Sequence, residues 1–232
     1  MTNSNYFDYR NIDIYFYNNY EVPAYLLPRL NKNSSILDFG CGFGQLLFAL
    51  KKAGFTSLEG ADINQAAIEH LKNNGLLVHD LSSNNHQFYE SNANKYDSVV
   101  LGHVLEHFPK DEVISLLKQI RGLLKKGGQL IVMVPNAQSS TGCYWAFEDF
   151  THNTLFTAGS LYYVLRASGF SQVEFVDIDC TDGMNPINKF VKRVLLDIYR
   201  LKIKFWNKVT SSAFHAPSPQ IFSYEIKAIA RA

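Results

Sequence analysis

The stretch ILDFGCGFG, Ile36–Gly44, decides how the rest of the chain is read. Ile36, Leu37, Asp38 and Phe39 have the length and composition of a short buried strand. Three alternating glycines follow, Gly40, Gly42 and Gly44, and then an apolar helical run, Leu46, Leu47, Phe48 and Leu50. Strand, glycine turn and helix together present a helix N-terminus to a ligand. Glycine lets the backbone turn tightly and lets a ligand come close where a Cβ would clash. The spacing narrows the ligand. A dinucleotide fingerprint needs Gly or Ala three residues after the second glycine. That position is Gln45, and the third glycine arrives early, at Gly44. Asp38 would repel a pyrophosphate and attract a ligand carrying ammonium and sulfonium charge.

Working outward, the pattern alternates. Strands are expected at Ser57–Ala61, Leu76–His79, Tyr96–Leu101, Gln129–Val134, Val173–Ile178 and Ile221–Ala230. Helices are expected to about Ala53, then over Gln65–Asn73, Asp111–Leu124, Ala158–Ser168 and Asn188–Lys208. Ser82–Asn94 reads as a loop or weak helix, Lys125–Gly128 as a turn, and Asn136–Thr157 as an aperiodic functional loop. Alternating strands and helices predict an α/β fold, a mostly parallel sheet with helices on both faces. A chain of 232 residues suits one such domain. We divide it into an aromatic-rich cap (1–30), a nucleotide-binding core (31–180) and a basic helical insertion before the last strand (181–220). The cap carries Tyr6, Phe7, Tyr9, Tyr15, Phe16, Tyr17, Tyr20 and Tyr25, which either pack on the domain or form a lid.

Composition excludes several classes. Hydrophobic content of 47% with 19% charged residues is globular, and a net charge of +1 gives no reason to expect nucleic acid. Cys41, Cys143 and Cys180 are odd in number and lack a CxxC, so neither a disulfide framework nor a thiolate metal site is expected. The opening residues lack a signal-peptide core and no run reaches membrane-spanning length, so the expected location is cytoplasmic.

The glycine turn does not stand alone. EGADIN (Glu59–Asn64), HDLS (His79–Ser82), YDSVVLGHVLEHF (Tyr96–Phe108), LLKKGGQLIVMVPN (Leu123–Asn136) and LYYVLRASGF (Leu161–Phe170) follow in order. This series resembles the class I S-adenosylmethionine-dependent methyltransferases, and in places the branch acting on small metabolites and surface polysaccharides. The resemblance implies a Rossmann-like seven-stranded sheet of order 3-2-1-4-5-7-6 with strand 7 antiparallel. It implies S-adenosyl-L-methionine as cofactor. Asp38, Gly40, Gly42 and Gly44 would hold the methionine end and Asp62 the ribose, with Ile63 beside it. Asp80 would receive the adenine amino group and the Leu81 amide the ring.

The acceptor side is more open. In GHVLEHF, His103, Glu106 and His107 fall at i, i+3 and i+4, one face of a helix. His103 reads as a general base or substrate contact, as a structural residue, or as part of a metal site. Some ubiquinone-pathway O-methyltransferases carry ExxEH there; HxxEH replaces a carboxylate with imidazole and puts magnesium in doubt, so no metal is assigned. DFTHNTLFT, Asp149–Thr157, resembles a D-x-x-H-x-x-x-F-T segment of the same branch and makes His152 a second catalytic candidate; it could equally fix the loop through Asp149. The 188–208 run is a core-packed helix with a basic face, or a contact for a membrane surface or phosphorylated substrate. The expected activity is O-methylation of a small-molecule acceptor, a metabolite or nucleotide-linked precursor of surface polysaccharide. N-methylation, a non-catalytic cofactor-binding module and a dinucleotide oxidoreductase are the alternatives.

Overall fold

β1 (Ile36–Phe39) is buried along its whole length, and the sheet extends from it on both sides. The computed structural model describes residues 20–83, 85–213 and 219–232. Within them lie β2 (Leu58–Asp62), β3 (Leu77–Asp80), β4 (Tyr96–Gly102), β5 (Leu124–Pro135), β6 (Gln172–Phe175) and β7 (Glu225–Arg231). They form one sheet ordered β3-β2-β1-β4-β5-β7-β6. β1 to β5 pair in parallel; β7 runs antiparallel to both β5 and β6. This is the order that the resemblance implies.

The helices are α1 (Gln45–Lys52), α2 (Gln65–Asn73), α3 (Asn85–Ser91), α4 (Lys110–Leu123), α5 (Gly142–Glu148), α6 (Ala158–Ala167) and α7 (Pro186–Val209). Successive strand residues point to opposite faces, and the core divides accordingly. Leu37, Val99, Leu130 and Val132 meet Leu116, Leu117 and Ile120 of α4 and Leu161 and Leu165 of α6. Ile36, Val100, Ile131 and Ile229 meet Leu46 and Leu50 of α1 on the other face, together with Tyr25 and Leu26. Ile36, Leu37 and Phe39 put apolar side chains on both faces of β1, as a strand covered on both sides requires, and Asp38 is the one charged residue buried in it.

Several expected boundaries shift. Lys125–Gly128 falls inside β5, whose register against β4 is irregular between Tyr96 and Ser98; Gly127, at φ +77°, relieves the bend. β6 ends at Phe175 and β7 begins at Glu225, because each is paired only where it lies against its neighbour. α5 forms within the expected loop. Tyr6 to Tyr17 lie outside the described residues, whereas Tyr25 is buried and Tyr20 is 41% exposed. The core-packed reading of 188–208 does not hold: α7 has no buried residue.

Candidate active site

The carboxyl end of β1 is shaped by steric necessity. Gly40 and Gly44 take left-handed conformations, φ +76° and +81°. A Cβ at Gly40 would lie 2.4 Å from Val104 Cγ2, and one at Gly44 would lie 2.3 Å from Leu71 Cδ2. Gly42 turns inward, and its amide donates to Asp62 Oδ2 at 2.7 Å. Asp62 Oδ1 accepts from the Asn64 amide at 2.9 Å. Asn64, not Asp62, caps α2, taking the Ala67 amide at 2.9 Å. Asp62 is therefore held by backbone at the mouth of the glycine turn. Burial raises its pKa, and these amides oppose the rise.

Asp38 lies beside it. It is 6% exposed, and among the described residues no hydrogen bond reaches its carboxyl. Burial, then the Asp62 charge, pushes its pKa up to about 7. A buried carboxylate without a donor invites a cation. Ile63 is 43% exposed next to Asp62, open to a flat apolar ring. Asp80 accepts from Gln65 Nε2 at 2.7 Å and from the Ser82 amide at 2.8 Å. One expectation fails here. The Leu81 amide is not open to a ring, because it donates to the Asp62 carbonyl at 2.8 Å and extends the β2–β3 ladder.

The second half of the site follows β4. His103 is not on a helix: it sits at φ +55°, and only Leu105–His107 form a 3₁₀ turn. Its Nε2 lies 2.8 Å from Glu225 Oε1 and its Nδ1 3.3 Å from Glu106 Oε1. Lost solvation opposes its charge, but these two carboxylates outweigh that and push its pKa up to about 10. Half of the side chain meets solvent, which screens the pairs; the direction stands on the two contacts. The expected base at an ordinary histidine pKa is thus corrected, because an imidazolium has no lone pair to accept a proton.

A histidine raised above its unfolded value of about 6.5 contributes stability in full below that pH and loses it as pH climbs through about 10. His103 should give imidazolium carbon and nitrogen shifts by NMR at pH 7.5. A midpoint near that of a free histidine would refute the charged assignment.

The loop carrying His152 is stitched to this turn. The Asn153 and Thr154 amides donate to the Glu106 carbonyl at 2.8 and 3.0 Å, and Asn153 Nδ2 donates to the His107 carbonyl at 2.9 Å. His152 and His107 consequently stand ring to ring, 4.9 Å between centroids. His152 Nδ1 lies 2.6 Å from the Trp145 carbonyl, which can only accept, so Nδ1 carries the proton. Trp145, more than Asp149 at 3.9 Å, fixes this ring. Thr151 Oγ1 donates to Asp149 Oδ1 at 2.6 Å and lies 2.8 Å from His107 Nδ1. With the hydroxyl proton committed to Asp149, His107 Nδ1 must donate. Each ring is left with an unprotonated Nε2. Burial, then the neighbouring His152, holds the His107 pKa below its ordinary value.

Glu106 completes the cluster. It is wholly buried, and apart from the 3.3 Å contact of Oε1 with His103 Nδ1 no donor among the described residues reaches its carboxyl. One ligand atom from each of Glu106, His107 and His152 lies within 4.8 Å of the others, a spacing that could also hold a cation. Glu225 continues inward to Lys227 at 3.1 Å, and Lys227 to Asp177 at 2.7 Å. Tyr20 also reaches this region: partial burial of its hydroxyl end, then the Asp38 and Glu225 charges, raises its pKa to about 12, although 41% of the residue stays exposed. Glu225, Lys227 and Asp177 had no motif to mark them, and Thr151 sat unremarked inside the Asp149–Thr157 segment.

A family described as a methyltransferase domain matches residues 11–174. The chain belongs to that methyltransferase family. A ubiquinone biosynthesis O-methyltransferase of Actinobacillus pleuropneumoniae serotype 5b (strain L20) is 30% identical over 109 residues, 44% of this chain and 45% of that protein. A ribosomal protein L11 methyltransferase of Chromobacterium violaceum is 37% identical over 115 residues, 47% of this chain and 34% of that protein. The matched region thus spans less than half of either curated relative. A SAM-dependent methyltransferase from Archaeoglobus fulgidus shares the fold at a TM-score of 0.63, with 21% identity over 89% of this chain and 90% of that one. The turn combines a buried carboxyl that no hydrogen bond reaches among the described residues, glycines where a Cβ would clash, and an acid fixed by backbone amides.

Proposed function

We propose that this chain transfers a methyl group from S-adenosylmethionine to the hydroxyl of a small-molecule acceptor. The observation that carries this reading is the pairing of two differently prepared half-sites at the carboxyl end of one sheet. On one side, Asp38 is a buried carboxyl that no hydrogen bond reaches among the described residues, suited to an ammonium or sulfonium. Gly40, Gly42 and Gly44 admit the methionine portion, Asp62 accepts from the ribose hydroxyls, and Asp80 and Ile63 flank the adenine. On the other side, His107 and His152 offer unprotonated Nε2 atoms beside Glu106. The bound cofactor supplies an activated methyl on sulfur; a C–O bond forms as the C–S bond breaks. The acceptor proton passes to one of the two imidazoles, and His103, as a cation, orients an anionic or polar acceptor. The loop's likeness to surface-sugar enzymes supports a sugar- or phosphate-bearing acceptor. N-methylation is the alternative that an amine-containing substrate panel would reveal.

Calorimetry with S-adenosylmethionine followed by methyl transfer to a panel of hydroxylated acceptors tests this reading. Binding without turnover on any acceptor would make the chain a cofactor-binding module. Asp62→Ala should cost about 2–3 kcal/mol of cofactor affinity, the range for hydrogen bonds to a charged group. An unchanged dissociation constant in the folded variant removes Asp62 from the site.

A further inference from the structure

α7 turns its apolar face away from the protein. Ile187, Phe190, Val194, Ile198, Leu201 and Phe205 recur at spacings of three and four, which places them in one stripe. They are between 41% and 75% exposed. In a surface helix of a globular protein such a stripe faces the core; here it faces outward. The rest of its surface is tied to the body by polar and aromatic contacts. Lys192 Nζ donates to the Cys180 carbonyl at 2.6 Å, Arg193 pairs with Asp179 at 3.3 Å, and Tyr199 meets Phe222 edge-on at 5.7 Å. The helix has 24 residues, about 36 Å at 1.5 Å per residue.

Charge selects among the possible occupants. The helix carries seven lysines and arginines against one acid, Asp197. Asp197 pairs with Arg200. Among the described residues Lys202, Lys204 and Lys208 have no acidic partner, and they flank Leu201, Phe205 and Trp206. A second copy of the helix laid on this face would bring like charges together. An anionic bilayer surface offers apolar depth for the stripe and negative headgroups for the lysines, with aromatic rings at the boundary. No described helix is long and apolar enough to cross a membrane.

We propose that α7 lies in the plane of an anionic membrane surface, its outward apolar stripe in the acyl boundary and Lys202, Lys204 and Lys208 on the headgroups. Phe222, which holds the helix, comes just before Glu225 of the acceptor side, so the bound surface would adjoin the cleft. The proposal does not depend on the methyl-transfer reading.

The test is co-sedimentation of the whole protein with vesicles of phosphatidylcholine and phosphatidylglycerol in equal parts, and with phosphatidylcholine alone, at near-physiological salt. Binding is expected to the mixed vesicles only. The K202E/K204E/K208E triple variant should bind at least about 100-fold more weakly, since each lysine near such a surface contributes roughly one factor of five. Leu201→Asp with Phe205→Asp should also lose binding. All these positions are exposed, so far-ultraviolet dichroism and cofactor calorimetry should match the parent. Three results would overturn the proposal: no binding to mixed vesicles, binding indifferent to either variant, or a dimer by sedimentation velocity that the Leu201/Phe205 variant abolishes.

Discussion

Replacing His152 with alanine is expected to lower turnover about 100- to 10,000-fold, the range for loss of a general base, while leaving S-adenosylmethionine affinity unchanged. His152 Nδ1 is committed to the Trp145 carbonyl at 2.6 Å, which leaves the Nε2 lone pair as the ring's only acceptor. His107 is prepared in the same way through Thr151 and Asp149. His107→Ala is the necessary partner experiment, because either ring can take the proton. His103→Asn should behave differently: a cation is removed, so the main change should be in KM for the acceptor. The acid limb of kcat/KM should follow a neutral imidazole becoming protonated, at a pH below the ordinary histidine value if His107 is the base. Thr151→Val offers a milder check, since it frees the His107 tautomer without touching the ring. Near-normal turnover in the two alanine variants and in their double mutant would sink the base assignment. The acceptor proton would then leave to water.

Lys227→Met should destabilise the protein by about 3–5 kcal/mol, the cost of breaking a buried ion pair from one side. Lys227 is 5% exposed and sits between Asp177 Oδ2 at 2.7 Å and Glu225 Oε2 at 3.1 Å. Methionine has a similar length but no charge, so the variant leaves Asp177 without its cation and Glu225 with His103 alone. The penalty should appear as a lower denaturant midpoint at constant slope. It should ease as pH falls, because protonating Asp177 and Glu225 relieves the stranded charges. In the parent, burial works against both carboxylates, but Lys227 holds the pKa of Asp177 low, and His103, then Lys227, hold that of Glu225 low. The parent therefore gains stability from them above the unfolded carboxylate range and loses it as pH falls through the lowered values. A loss under about 1 kcal/mol would mean that water reaches the pair, as at an exposed salt bridge.

The proposed cofactor half of the site could be assembled from sequence because its residues are local. Asp38, Gly40, Gly42 and Gly44 lie on one strand and its turn, and Asp62 closes the next strand. Spacing alone places such residues together at the carboxyl ends of adjacent parallel strands. The acceptor half was legible only as a list of residue types. His103 was read as an ordinary imidazole because the carboxylate that charges it, Glu225, is 122 positions away and arrives through a strand inserted later in the sheet. The tautomer of His107 rests on Thr151, 44 positions away. The Leu81 amide was assigned by the resemblance, but a sheet ladder one residue longer than expected consumes it. The amphipathic period of α7 was visible in sequence; the direction of its apolar face was not, since periodicity defines a face but not what lies opposite it.

The insertion of β7 between β5 and β6 sets an order of assembly during synthesis. β1 to β5 leave the ribosome as a consecutive parallel block, able to bring Asp38 and Asp62 together without anything downstream. β6 then has no partner except β7, and must wait for it. Glu225 and Lys227 enter with that same strand, so the charge on His103, the Asp177 ion pair and the far edge of the sheet are all completed in one late event. A nascent or C-terminally clipped chain would thus carry the proposed cofactor cradle and the His107–His152 pair but lack Glu225 beside His103, separating donor binding from the orientation of an acceptor.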